Sequence, residues 1–184
     1  SLTEIIIPSS VTCIEEYAFN KCKSLIKITI PSSITQLKND AFKDCTNLEE
    51  VTILAQITDI EKNTFQNCTS LKEIIIPPSV KNIGDNAFEN CTSLKHIQIP
   101  ESVEYIGSYT FKHCTSLEEI NISPSIKEIG IYAFDECANF IMFKKSKETY
   151  SIFMKLKKNL IISAKEAVID LFFMTYKADI ESVT

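Results

Sequence analysis

The sequence predicts an α/β repeat solenoid: a right-handed coil of about six 23-residue repeats with short parallel strands, closed by a C-terminal helical cap. Three observations predict it. First, Cys22, Cys45, Cys68, Cys91, Cys114 and Cys137 each follow the last by 23 residues, as do Phe19, Phe42, Phe65, Phe88, Phe111 and Phe134. Leu2, Leu25, Leu48, Leu71, Leu94 and Leu117 keep the same step, and several columns in one phase are the signature of a repeat architecture. Second, apolar residues inside each unit fall at strand spacing, and in most copies they stop at a proline. Third, beyond residue 143 the apolar spacing changes to three and four.

The unit reads L-x-x-I-x-I-P-x-S-[VI]-x-x-I-x-x-x-A-F-x-x-C-x-[SN]. Its elements follow from side-chain chemistry. In the fourth copy Ile74 and Ile76 are two apart, so both point to one side of a short strand. Pro77 ends that strand, because it has no N–H for a ladder. Val80 and Ile83 form a second inward edge, and Ala87-Phe88 a third. A single copy has too few apolar residues to offset the entropy of ordering its chain, so neighbouring copies must stack to form a core. At ~4.8 Å per rung, six copies make a body about 29 Å long. The solenoid is assigned to residues 1–143 and the helical cap or docking segment to residues 144–184.

Departures from the unit mark particular rungs. The third copy lacks its proline, reading Ile53-Leu54-Ala55-Gln56-Ile57, and the sixth moves it to Pro124. Gly84, Gly107 and Gly130 share a column with Glu15, Lys38 and Glu61. A column that accepts Glu and Lys does not demand a positive φ, so these glycines read as a tolerated turn and not as a phosphate cradle. Ser1-Leu2 coincides with the Ser-Leu of later junctions, which leads us to expect further repeats upstream or another molecule over the first rung.

Stretches such as Leu71-Lys72-Glu73-Ile74-Ile75-Ile76-Pro77 and Ala87-Phe88-Glu89-Asn90-Cys91-Thr92-Ser93-Leu94 carry a family resemblance. They resemble the leucine-rich repeats of the Treponema pallidum or BspA type, known from surface proteins of anaerobic bacteria and expanded in anaerobic protists. The resemblance covers about three quarters of the chain. It implies a leucine-rich-repeat fold and cell-surface adhesion or recognition, although one repeat scaffold hosts many binding tasks. The Lys-, Ile- and Asn-rich, arginine-free composition looks more like a protist member than a bacterial one.

After Phe140 and Phe143 the repeat pattern dissolves at Lys144 and Lys145. Phe153, Leu156, Leu160, Ala164, Ala167, Leu171 and Met174 then recur at helical spacing. Such a wide apolar stripe needs a cover. Three roles stay open: a cap on the last rung, a dimerisation or partner-docking element, and a membrane-surface helix using Lys155, Lys157 and Lys158. Lys165, Glu166 and Asp170 interrupt the stripe, so no transmembrane segment is expected.

Charge divides the chain. Residues 1–139 hold 11 lysines against 19 acidic residues, a net of −8, while residues 140–184 carry +3. With no arginine forks for phosphate, nucleic acid is not an expected partner. All seven cysteines are expected to be free thiols, because six lie in a column beside Phe and Leu where Cys acts as a small hydrophobe. No C-x-x-C occurs, and His113 beside Cys114 does not make a zinc site, so no metal is expected. No catalytic constellation or cofactor motif is present, and an enzyme is not expected. Three sequons, at Asn67, Asn90 and Asn121, arise mainly from the repeat itself.

The surface expected to bind is the strand face. Its columns are Glu4, Lys27, Glu50, Glu73, His96, Glu119 and Ile6, Thr29, Thr52, Ile75, Gln98, Asn121. Mixed charge with exposed isoleucines suits a protein or glycan ligand better than a polyanion. A second patch holds Tyr105, Tyr109 and Tyr132 with Ile131, either as an interface or as the seat of the tail. Self-association through the tail or the open first repeat is a further expectation. Two settings stay open: a cell-surface or secreted recognition module, and a cytoplasmic scaffold favoured by unpaired cysteines and the lack of a leader at Ser1.

Overall fold

The computed structural model describes residues 3–137 except 122 and 124, and the side chains of residues 119 and 121 are also outside the description. Every repeat contributes two short strands. The first of each pair are β1 (Glu4–Ile5), β3 (Lys27–Ile30), β5 (Glu50–Ile53), β7 (Glu73–Ile75), β9 (His96–Gln98) and β11 (Glu119–Asn121). They pair in parallel, in that order, as one six-stranded sheet. Residues alternate outward and inward, so Ile28, Ile30, Val51 and Ile53 face the core while Lys27, Thr29, Glu50 and Thr52 face out. The register joins equivalent residues of neighbouring copies, such as Lys27 to Glu50 and Glu73 to His96.

The second strands are β2 (Cys13–Ile14), β4 (Gln36–Leu37), β6 (Asp59–Ile60), β8 (Asn82–Ile83), β10 (Tyr105–Ile106) and β12 (Glu128–Ile129). They split into a two-stranded sheet, β2-β4, and a four-stranded one, β6-β8-β10-β12. The split falls at the rung that lacks its proline. Ser33, Ser79 and Ser102 donate their hydroxyls to Val11, Ile57 and Val80 carbonyls one rung back, at 2.8, 2.7 and 2.7 Å. Gln56 stands in that serine column in rung three, so this tie is missing at the break; Ser125 in rung six bonds Ser123 instead.

The third side corrects the α half of the expected α/β solenoid. Among the described residues there is no helix; this side is a stack of tandem β-turns, and the described body is a parallel-strand β-solenoid. Two residues in every copy adopt positive φ, between 55° and 61°: Tyr17, Asp40, Asn63, Asn86, Tyr109 and Tyr132, then Lys21, Asp44, Asn67, Asn90, His113 and Glu136. A left-handed residue interrupts a right-handed helix and costs about 1–2 kcal/mol in isolation. Here it turns alternate N–H groups along the solenoid axis. Asn63, Phe65 and Asn67 donate to Asp85, Ala87 and Glu89 carbonyls of the next rung at 3.0, 2.9 and 2.8 Å. The intervening Gln66 and Cys68 donate within the rung, to Asn63 and Phe65. The inter-rung bonds offset the strain of the left-handed positions.

The core confirms the inward columns. Phe42, Phe65, Phe88 and Phe111 are fully buried, and successive rings from Phe19 to Phe134 stack at 5.0 to 5.5 Å. The cysteines do more than fill space. Cys45, Cys68, Cys91, Cys114 and Cys137 each donate their thiol to the phenylalanine carbonyl of the preceding rung, at 3.0 to 3.3 Å. All seven cysteines are free thiols. Burial pushes the Cys45 thiol up to about 12 and those of Cys68, Cys91 and Cys114 well above the ordinary value.

The glycine column is a site of close approach. None of the three glycines has a positive φ, as the sequence implied. A Cβ at Gly107, however, would lie 2.5 Å from the Asp85 nitrogen and 2.6 Å from the Gly84 carbonyl carbon. The turn reading is therefore incomplete: from the fourth rung onward the backbones approach where earlier rungs keep a side chain. Gly107→Ala is expected to lose about 1–3 kcal/mol by forcing rungs apart. Glu61→Ala in the same column should stay within ~0.5 kcal/mol. Equal losses for the two variants in chemical denaturation would refute the close-approach explanation. The expected helical cap at 144–184, with Phe140 and Phe143, lies outside the described residues.

Candidate binding surface

The six-stranded sheet brings the expected columns together. Glu4, Lys27, Glu50, Glu73, His96 and Glu119 are successive register partners, and Ile75, Gln98 and Asn121 likewise. Equivalent residues thus stand about 4.8 Å apart along the solenoid axis. Glu4, Lys27, Glu50, Glu73, His96 and Gln98 are exposed, and Ile75 is 72% exposed although it lies in the middle of a sheet. For Glu119 and Asn121 only the backbone positions are described.

Some charge on this face is already committed. Lys27 contacts Glu50 at 2.6 Å, and its ammonium is held above the ordinary lysine range by that hydrogen bond. Lys72 contacts Glu49 at 2.6 Å. Exposed pairs of this kind add little stability, so they act mainly by cancelling positive charge locally. Across β7 and β9 the face is hollowed into a groove of about 650 Å³, bordered by Glu73, Ile75, Pro78, His96, Gln98 and Glu101.

The tyrosine patch is partly assembled. Tyr109 and Tyr132 stack at 5.3 Å, and the Lys112 ammonium lies 5.5 Å from the Tyr109 ring centre. Tyr105 sits instead on β10, 41% exposed, with the Lys127 ammonium 5.9 Å from its ring. No ring contact joins Tyr105 to the pair among the described residues. Tyr109 and Tyr132 also hold two of the left-handed turn positions, so their column shapes the backbone as well as the surface.

One constellation escaped the sequence reading. Asn67 donates its amide to Asp44 at 2.6 Å, Asn90 donates to Asn67 at 2.8 Å, and His113 Nδ1 meets Asn90 Oδ1 at 2.9 Å. His113 Nε2 then lies 3.0 Å from Glu136. This spine crosses five rungs through the second left-handed column. Asn and Asp tolerate that conformation best, so their recurrence at 44, 67 and 90 was the available signal. It also changes the meaning of two sequons, because the Asn67 and Asn90 amides that a glycan would need are engaged between rungs. The third sequon includes residue 122, outside the described residues.

Other chemistry is sparse. His96 and His113 occupy different sides of the solenoid, one on the strand face and one in the turn spine. No group of three or more His, Cys, Asp or Glu side chains able to hold a metal ion occurs among the described residues. No helix among them is long and apolar enough to cross a membrane. What the arrangement offers is a regular, rigid side-chain array.

Comparison with known proteins agrees with this geometry. A leucine-rich repeat protein of T. pallidum is 29% identical, covering 76% of this chain and 68% of its own, with a TM-score of 0.73. A leucine-rich repeat protein from Bacteroides ovatus is 29% identical over 74% of this chain and 42% of its own, TM-score 0.57. A leucine-rich cell surface protein from Faecalibacterium prausnitzii is 27% identical over 79% of this chain and 48% of its own, TM-score 0.69. The chain therefore spans less than half the length of the last two. No curated protein matches the sequence. The family description "BspA type Leucine rich repeat region" matches residues 1–114 and 81–159, in six copies. With the repeat columns, the stacked parallel strands and this match in agreement, the chain belongs to the BspA-type leucine-rich repeat family.

Proposed function

We propose that the chain is a binding module that recognises a protein partner across its six-stranded face, at the cell surface or outside the cell. Solenoids use such extended faces for binding. The observation that carries the reading is Ile75, a large apolar side chain 72% exposed at the centre of the sheet and beside a groove, with Ile6 of the same column 89% exposed past β1. Exposed apolar surface rimmed by polar residues marks interaction sites. The likeness to a cell surface protein of F. prausnitzii supports the setting, as does likeness to the pneumococcal vaccine antigen PcpA, 25% identical with a TM-score of 0.66.

A second reading, an intracellular scaffold, is favoured by the seven free thiols, since reducing compartments keep cysteines unpaired. One experiment addresses both readings. The purified chain is applied to intact cells and to immobilised extracellular-matrix proteins, beside Ile75→Asp and, as a control on the second-strand side, Lys81→Glu. We expect saturable binding that Ile75→Asp weakens at least about tenfold and Lys81→Glu leaves unchanged. Binding that survives Ile75→Asp would overturn the strand-face reading. An absence of binding to any extracellular target would favour the scaffold.

A further inference from the structure

The groove on the strand face has a charge pattern that specifies its occupant more closely. It follows β7 and β9 and continues over the turns after them, from Glu73 to Pro78 and from His96 to Glu101. Six residues at up to ~3.3 Å each make a trough of at most ~20 Å. Its volume of about 650 Å³ falls within the range of clefts that enclose small ligands or short stretches of chain. The middle holds exposed Ile75, its register partner Gln98 and half-buried Pro100, while exposed Pro78 stands at the far end in the column of Glu101. The two lining carboxylates stand at opposite ends: Glu73 opens β7, and Glu101 lies beyond the end of β9.

Among the described residues, no lysine lines the trough. Of the ammonium groups elsewhere on this side, those of Lys27 and Lys72 are engaged by Glu50 and Glu49, while Lys95, exposed next to His96, stays outside the lining. His96 borders Glu73 as its register partner and is the remaining lining group that can carry positive charge. The backbone is closed to an incoming strand, because β7 pairs with β5 and β9, and β9 pairs with β7 and β11. An occupant therefore engages side chains and does not extend the sheet.

Resting on the strand-face reading, we propose that this trough takes an extended peptide segment of the partner, basic at both ends and aliphatic between. One lysine or arginine of that segment reaches Glu73 and another Glu101, while an aliphatic side chain lies on Ile75 and Pro100. The net −8 of residues 1–139 draws in such a segment and repels an acidic one.

Three labelled octapeptides test this, with lysine, glutamine or glutamate near both ends of the same central Val-Ile pair. Binding to the full chain is followed by fluorescence anisotropy at low salt and at about 0.3 M salt. The lysine peptide should bind saturably, about tenfold more tightly than the glutamine peptide and less tightly in high salt, with the glutamate peptide weakest. Glu73→Gln combined with Glu101→Gln should abolish the lysine preference without moving the urea midpoint, since both side chains are exposed. Equal binding of the lysine and glutamate peptides overturns the proposal. So does a lysine preference that survives the double substitution, or a lysine peptide that fails to bind at millimolar concentration. If Ile75→Asp still abolishes binding to the cell or matrix target in those cases, the strand-face reading stands and only the basic-segment assignment falls.

Discussion

Raising the pH above about 9 is expected to unfold the solenoid steeply. In an unfolded chain cysteine thiols titrate near 8.5–9. In the folded chain Cys45 keeps its proton up to about 12, and Cys68, Cys91 and Cys114 are shifted in the same direction, chiefly by burial. Below pH ~8.5 both states hold these protons and the thiols contribute no pH dependence. Above it the unfolded state releases protons that the folded state retains, so stability falls with rising pH. Each thiol contributes about 1.4 kcal/mol per pH unit in that window, and four together about 5. Domains of ordinary stability, about 5–15 kcal/mol, do not survive many such units.

Urea midpoints at pH 7, 8, 9 and 10 measure this fall. Lysines also lose charge near 10.4, so the decisive comparison is with the Cys68→Ala, Cys91→Ala double variant, which keeps every lysine. Its stability should decline less steeply, by about 2.7 kcal/mol per pH unit. Identical slopes would mean that these thiols are not buried as described.

Phe88→Ala is expected to cost about 3–5 kcal/mol, because it hollows an aromatic site at the centre of the core. Phe88 is fully buried and stacks on Phe65 at 5.5 Å and on Phe111 at 5.4 Å. Alanine removes both contacts together and leaves a cavity between two rings. That cavity resists collapse, because the neighbouring rungs are pinned by backbone bonds: Phe65 donates to Ala87 and Phe88 donates to Thr110, each at 2.9 Å. The Cys114 thiol also bonds the Phe88 carbonyl at 3.2 Å, so a shift of this residue reaches the next rung. Lys95→Ala, exposed beside the strand face, should remain within ~0.5 kcal/mol. Chemical denaturation showing the two variants equally stable would contradict the stacked core.

The repeat, its inward columns and the strand register were determined by the sequence alone. Period-two alternation places Ile28 and Ile30 inside and Lys27 and Thr29 outside, and a fixed 23-residue step leaves one way to superpose the copies. The strand-face columns were legible for the same reason. The turn stack, the thiol ladder, the spine from Asp44 to Glu136 and the close glycines were decided by tertiary structure. Each depends on contacts between residues about 23 positions apart whose geometry no local propensity specifies. Tyr17, Lys21 and Glu136 occupy left-handed positions that their side chains do not favour. At Tyr17 and Lys21 the reason is visible in the stack: each donates its N–H to the next rung, to Asn39 and Lys43. The groove belongs to the same class. Glu73 and Glu101 are 28 residues apart in the chain, and only the stacking of one rung on the next places them at the two ends of one trough.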